Sequence, residues 1–440
     1  MRKVKTDVLI VIEHKVRELE GACLLKYEFE KRGYSVVIDS IYPNKELLPL
    51  KYTANIIIVP WAYNDKDMEY LKCFFKYSPN AKLINMHYEQ YSGQDDKNIC
   101  LPSGDAIGVF HVSWGKKFTD GLIKSGCLPE MIFTVGSIRL DFYKEKLKEI
   151  FSSKECLSNK YNINKNKEWI LFIANGYHLM PDWKIDSIAN SDERIYEKKD
   201  AAIKCRLDFL QFVDKYLSIN NDKIFIYRPH PVYADLDKKN RDLNNLLKKY
   251  PNNFYVIADM SINSWLVNSD LCISFHSTSA VECCACKTPY YLFRTKNIAK
   301  ELDYSFFNDY KYIICNYTDF LNAVRLNNYD NSVLKSSLND YYVMNDDYTF
   351  VNLVNSILKC NDNKINKYTF KMWVKNSFRA RTKLFIAFFA KIKLFNFLFK
   401  KIGDSRVDRI INRDGDYFSI NDINDNVKKI SNCFNKKWGD

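Results

Sequence analysis

Short apolar runs rich in β-branched residues recur along this chain, each ending in a polar turn, and this recurrence restricts the fold more than any other feature. The first group lies at 7–12, 34–38, 55–59, 82–86, 107–112 and 131–135, and a second at 168–174, 223–227, 254–257, 270–274 and 289–293. Four to six such residues between breakers read as strands buried on both faces. Helical stretches, such as 65–77, 116–125, 201–217 and 235–249, separate them. Strand and helix in alternation predict doubly wound parallel sheets. A charged, Asn/Lys-rich stretch at 144–167 divides the groups, so two Rossmann-like sheets facing a cleft are expected, the GT-B-like arrangement. The expected domains are 1–150 and 165–345, followed by a return helix within 346–363, a basic amphipathic segment at 364–402 and a mixed-charge tail at 403–440.

Open parallel sheets bind ligands at the carboxyl ends of their strands, so the residues just past each run carry the functional reading. After 223–227 comes Arg228-Pro229-His230-Pro231, and after 270–274 comes His276-Ser277-Thr278-Ser279 with Glu282 one turn later. Three hydroxyls at a helix start, with free backbone N–H groups, make a phosphate seat. Arg228 and His230, held by prolines, would add a fixed charge and a donor to the same anion. Asn175 and Gly176 form the turn after 168–174 and are further contact candidates. The polar stretch 179–200 reads as a mobile loop over the cleft.

In the first half, Glu13, His14 and Arg17 crowd the turn after the first strand and are the candidate catalytic residues. Glu13 and Arg17 stand four apart, so an intrahelical ion pair is the structural alternative. Gly136-Ser-Ile-Arg139-Leu-Asp141 follows the sixth strand; there Arg139 and Asp141 make either a cleft contact or a structural salt bridge.

Charge and cysteine usage exclude several classes. The net charge is +13, yet 364–401 alone holds eleven Lys or Arg and no acid, leaving the remainder at +2. That distribution argues against nucleic acid as partner. Aromatics are interleaved with these cations, and the uncharged run 384–390 spans only seven residues. Crossing a bilayer takes about 20. A helix lying in an anionic membrane interface is expected, with a helix docked on its own protein or on a second subunit as the alternative. The thirteen cysteines lack framework spacing and, with no signal peptide, read as reduced cytosolic thiols. Cys283, Cys284 and Cys286 share one short helix without a second ligand pair, so neither metal nor cofactor is expected.

The order Glu13-x-x-x-Arg17-Glu18, Trp114-Gly115, Gly136-x-x-Arg139-x-Asp141, Arg228-Pro-His230-Pro231 and Ser277-Thr278-Ser279-x-x-Glu282 resembles that of bacterial surface-carbohydrate biosynthesis proteins. These are GT-B-like relatives of the CDP-glycerol glycerophosphotransferases, polysialyltransferases and capsular Kdo transferases, and the resemblance covers roughly residues 7 to 300. It implies a CMP- or CDP-linked donor held by His230, Ser277, Thr278 and Ser279, with Glu282 near the ribose. It also implies a surface polysaccharide or lipid-linked acceptor. The chain departs from the family in lacking an acidic acceptor-base motif, and Asn85-Met86-His87 stands where a Gly-His-Gly loop is expected. The expected activity is metal-independent glycosyl transfer at the cytoplasmic face of the plasma membrane. A polyol-phosphate transferase and a non-hydrolysing nucleotide-sugar epimerase are the alternatives.

Overall fold

The structure, a computed structural model, describes residues 3–42, 44–90, 101–189, 193–230, 233–259, 261–325, 329–361, 363–365, 368–390 and 418–435. The described residues of Met1–Gln90, Ile99–Asp141 and Asp340–Asp440 form one compact unit, and those of Phe142–Asn339 form a second.

Unit 1 is built on a six-stranded sheet: β1 (Val4–Ile12), β2 (Val36–Ser40), β3 (Tyr52–Val59), β4 (Lys82–Asn85), β5 (Phe110–Ser113) and β6 (Ile132–Thr134). All pairings are parallel, in the order β2-β1-β3-β4-β5-β6. From Val8 to Ile12 no residue of β1 is more than 1% exposed, because helices cover both faces and leave no place for alternation. Helix α1 (Lys15–Lys31) follows β1 and buries Leu19, Ala22, Leu25 and Phe29.

Unit 2 repeats the plan with β7 (Glu168–Ile173), β8 (Lys223–Arg228), β9 (Phe254–Val256), β10 (Leu271–Ser274), β11 (Tyr290–Phe293) and a short edge strand, β12 (Ile313–Ile314). Its order is β12-β11-β10-β7-β8-β9, again wholly parallel. The stretch expected to be a loop at 179–200 is largely helical: α2 (Asp182–Ala189) and the first turns of α3 (Arg194–Leu217) occupy it. Ile185 explains the difference, since it packs fully buried against Ile195 and Leu302. A polar segment with one well-buried anchor every few turns folds against its neighbours despite its composition. Helix α4 (Ser279–Cys286) follows β10, with Cys283 and Cys284 packed in the core. Among the described residues no group of three or more His, Cys, Asp or Glu is placed to hold a metal ion.

The chain then returns to unit 1 as α5 (Thr349–Lys359), α6 (Phe370–Ala390) and α7 (Ile420–Asn435). Helix α5 packs on α1. Helix α7 lies within the stretch expected to be a tail, yet it also packs on α1. Tyr27 stacks on Phe434 with ring centroids 5.4 Å apart, Lys15 pairs with Asp422 at 3.2 Å, and Ile423 and Ile430 are buried.

Helix α6 is docked by one face and open on another. Asn376 Nδ2 donates to the Glu46 carbonyl and Asn44 Nδ2 to the Ala380 carbonyl, both at 2.8 Å. Lys375 and Arg379 hold Glu69, and Lys383 holds Glu46. On the open side Phe370, Val374, Phe378, Leu384 and Phe385 are exposed, Phe378 by 72% and Phe385 by 64%. The docked-helix alternative therefore holds for one face of this helix, and the other face leaves its aromatics exposed as far as Phe385; residues 391–401 lie outside the described residues. No described helix is long and apolar enough to cross a membrane.

Candidate functional site

In unit 2 the chain order reverses between β7 and β10, since β8 and β9 stack to one side and β11 and β12 to the other. The crevice outside the carboxyl ends of two such strands is where these sheets take ligands. The turn Asn175-Gly176 leaves β7 there, His276-Ser277-Thr278 leaves β10, and Pro229-His230 leaves the adjacent β8. Asn175 shapes its turn by accepting from Tyr177 N at 2.8 Å. Gly176 and His230 meet: a Cβ at residue 176 would stand 2.8 Å from the Tyr233 ring and 3.4 Å from His230 Cγ. The sequence places glycine there because only a bare backbone passes that close. His230 is half-buried, and its imidazole is held below the usual range by burial first and by Lys184 and His178 next. Pro231 lies outside the described residues.

Past β10, Ser277 and Ser279 are half-buried and Thr278, the residue preceding α4, is exposed. Ser277 Oγ accepts from Ser279 N at 3.1 Å. The Thr278 side chain makes no capping bond, so the helix start opens on hydroxyls at the switch point. Glu282 is half-buried in the first turn and, after burial, Tyr177 and Asp303, helps to raise the Tyr304 phenol.

Two predicted residues point inward. His276 stacks on Tyr304, centroids 4.2 Å apart, and its Nε2 lies 3.1 Å from Lys198 Nζ and 3.5 Å from Asp303 Oδ1. Its basicity falls well below the usual range, chiefly through burial and then through Lys198 and Arg294, so it is a neutral ring. Arg228 is 5% exposed and donates to the Asp259 carbonyl past β9, tying two strand ends together.

Helix α3 brings side chains that the sequence reading passed over. Lys198 is fully buried, donates to the Leu302 carbonyl at 2.6 Å and lies 4.6 Å from the centre of the Tyr177 ring. Burial pulls its ammonium down to about 7, against the opposing pull of Asp303. Two turns on, Arg206 donates Nε to Tyr227 OH at 3.0 Å and Nη2 to Asp237 Oδ1 at 3.3 Å. The same Asp237 oxygen lies 3.3 Å from His178 Nε2, so the network reaches the loop after β7. The missed signal was periodic. Lys198, Ala201, Ala202, Cys205, Arg206 and Phe209 form one buried stripe at helical spacing, so two cations sit where only apolar residues are ordinarily buried.

In unit 1 the order reverses between β1 and β3, and Glu13 stands at that point. Its Oε1 accepts from Tyr42 OH and its Oε2 from Trp61 Nε1, both at 2.7 Å. The expected Glu13–Arg17 ion pair is absent: Arg17 pairs with Glu89 instead, while Tyr42 and Trp61, arriving from the ends of β2 and β3, engage the Glu13 carboxylate. His14 precedes α1, with Nε2 3.9 Å from Glu13 Oε1. Glu18 reaches back to accept from the backbone N of Glu13 at 2.7 Å, and burial pushes its carboxyl up to about 7.

Asp141 is engaged within unit 1. Residues Ile138–Tyr143 form a tight 3₁₀ turn rather than an extended chain, and both Asp141 oxygens cap α5. Arg139 lies close enough to Glu20 to oppose the upward shift that burial gives that carboxyl, which favours the structural reading of this residue. His87 is no accessible base. It is fully buried, its Nε2 lies 2.8 Å from His111 Nδ1, and burial takes both rings below the usual range, His111 to about 4.

No family model matches the chain, and no curated protein does. Solved structures do. The UDP-GlcNAc 2-epimerase from Neisseria meningitidis, bound to UDP-GlcNAc, superposes with a TM-score of 0.50 at 11% identity, over 81% of this chain and 100% of that one. The UDP-GlcNAc 2-epimerase from Methanocaldococcus jannaschii has a TM-score of 0.49 at 14% identity, covering 81% and 99%. The wall teichoic acid polymerase TagF has a TM-score of 0.49 at 12% identity, covering 80% and 87%. At such identities the likeness is one of fold. The chain has the GT-B-like architecture of two Rossmann-like parallel-sheet units.

Proposed function

We propose that this chain is a nucleotide-sugar enzyme of bacterial surface-glycan assembly, and within that class a metal-independent glycosyltransferase using a CMP- or CDP-linked donor. The observation that carries this reading is that Gly176 meets His230 past the ends of β7 and β8, while the Ser277–Ser279 hydroxyls follow the end of the neighbouring strand β10. A backbone without a side chain, a half-buried imidazole and a helix start together suit a phosphate group. Loss of the nucleotide leaves negative charge on that phosphate, and preorganised donors stabilise it as it grows. The acceptor hydroxyl, on a polysaccharide or a lipid-linked chain, needs a base, and Glu13 is the carboxylate at the other switch point.

A CDP-polyol phosphotransferase would use the same seat with a different transferred group. The epimerase reading has an observation of its own, the Glu18 carboxyl at about 7, one turn from Glu13. A carboxyl that exchanges its proton near neutral pH suits proton removal at a sugar carbon.

The enzyme works, on this proposal, at the cytoplasmic face of the plasma membrane through 364–401. The support is the exposed aromatic side of α6 beside the cations of the same helix.

The test begins with thermal shift against CMP-, CDP-, UDP- and GDP-linked ligands. A ligand at 100 times its Kd adds ~2.7 kcal/mol of stability. The expected hit is a cytidine nucleotide whose binding weakens in His230→Ala and Ser277→Ala; equal affinity in wild type and both variants sinks the site. Product analysis then separates the classes. Transfer needs an acceptor, whereas an epimerase acts on the nucleotide sugar alone and incorporates solvent deuterium.

A further inference from the structure

On unit 1, where α6 lies against the body, there is a cavity of about 120 Å³ lined by Lys45, Lys66, Glu69, Tyr70, Lys375 and Arg379. A single water needs only about 10–15 Å³ by the same measure, so a group of several heavy atoms fits. The lining is rich in donors. Glu69 takes bonds from Lys375 and Arg379, one acid against two cations. Glu46, the other lining acid, is held by Lys383. Lys45 stands over the rings of Trp61 and Tyr70, at 4.5 and 4.8 Å from their centres, and burial draws its ammonium below the usual range against the opposing pull of Asp67 and Glu46.

A second observation is independent of charge. Tyr70 is 3% exposed, and its buried hydroxyl has no hydrogen-bond partner among the described residues. An unmet buried hydroxyl is destabilising until a partner reaches it. A phenol O–H, two ammonium groups and a guanidinium around one space supply the donors that the oxygens of a phosphate require, and the two lining carboxylates, Glu46 and Glu69, are each paired with cations of α6.

We infer that this cavity binds a phosphate ester, with Tyr70, Lys45, Lys66 and Arg379 as its donors. The nearest source is the headgroup of an anionic phospholipid, since the cavity adjoins the helix whose exposed Phe370, Val374 and Phe378 are assigned to the membrane. To that extent the inference rests on the membrane reading above. A free phosphate ester is the other source of the same chemistry.

The experiment uses the full chain, Tyr70→Phe and Lys66→Glu, with two probes: glycerol 3-phosphate in solution, and phosphatidylcholine vesicles with or without phosphatidylglycerol. Glycerol 3-phosphate is expected to raise the wild-type melting temperature. Tyr70→Phe should be as stable as wild type without ligand, because it removes an unsatisfied group, yet bind the ester at least tenfold more weakly. Weaker pelleting of Lys66→Glu with anionic vesicles assigns the lipid headgroup. Unchanged pelleting alongside lost ester binding assigns the free ester. If wild type fails to pellet with anionic vesicles but binds the ester in a Tyr70-dependent way, the membrane reading falls and the cavity assignment stands. Absence of ester binding by wild type, or equal ester binding in all three proteins, overturns the inference.

Discussion

Asp141 closes the start of the helix that begins at Thr349, accepting from Thr349 N at 2.9 Å and from Phe350 N at 2.8 Å. The carboxylate is fully buried and joins the last turn after β6 to the returning chain, more than two hundred residues away in sequence. Loss of a helix cap costs about 1 kcal/mol, and two orphaned buried N–H groups add roughly as much again or more. Asp141→Ala should therefore lower stability in urea by about 2–4 kcal/mol, and Asp141→Asn by less. Wild-type stability in Asp141→Ala contradicts the capping role.

Glu13 is the residue on which the transfer reading depends in unit 1. Glu13→Gln preserves its shape and an acceptor for Tyr42 or Trp61 but removes the base. With the donor identified, kcat should fall at least about tenfold, the low side of acid–base contributions. Donor affinity should be unchanged. Retained turnover in this variant moves the base elsewhere.

Lys198 gives the stability a pH dependence of known sign. Its folded-state value of about 7 lies below the ordinary 10.5, so between these limits the unfolded chain binds more protons. The wild type should gain stability as pH rises from 7.5 to 9.5, and Lys198→Met should lack that part of the slope. His276 is neutral throughout this window, because its basicity is depressed well below the usual 6.5. Urea titrations across the window measure the difference; parallel slopes for the two proteins refute a neutral buried Lys198.

Membrane attachment through α6 predicts a division of labour between its faces. Phe378→Asp with Phe385→Asp should abolish pelleting with anionic vesicles while leaving the fold intact, because both rings are exposed. Salt should weaken wild-type pelleting only in part, as the Debye length shrinks from about 10 Å to about 3 Å between 0.1 and 1 M. Undiminished pelleting of the double variant assigns lipid contact to another segment.

Eleven strands and their parallel pairing were legible because uniformly apolar runs of that length have few other solutions, whereas the two-residue β12 and the order of the strands were not. Strand-end positions such as His230 and Ser277 were legible for the same reason. The helices at Asp182–Ala189 and Ile420–Asn435 were not. Each is polar over most of its surface and depends on a few contacts with distant parts of the chain, Ile185 with Leu302 and Phe434 with Tyr27.

Local sequence determined which residues would stand at the ends of the strands, since periodicity and breakers are properties of neighbours. Only the tertiary structure decided what those residues do there. Arg17 prefers Glu89 to Glu13, Asp141 faces a helix start, and His276 turns into a cage of Lys198, Asp303 and Tyr304. Each of these choices depends on a partner at least seventy residues away or brought in by another element, except that between His276 and its own downstream loop. The physical reason is desolvation. A charged or polar group inside the protein must find its counterpart wherever the fold delivers one, and chain proximity alone does not specify that delivery.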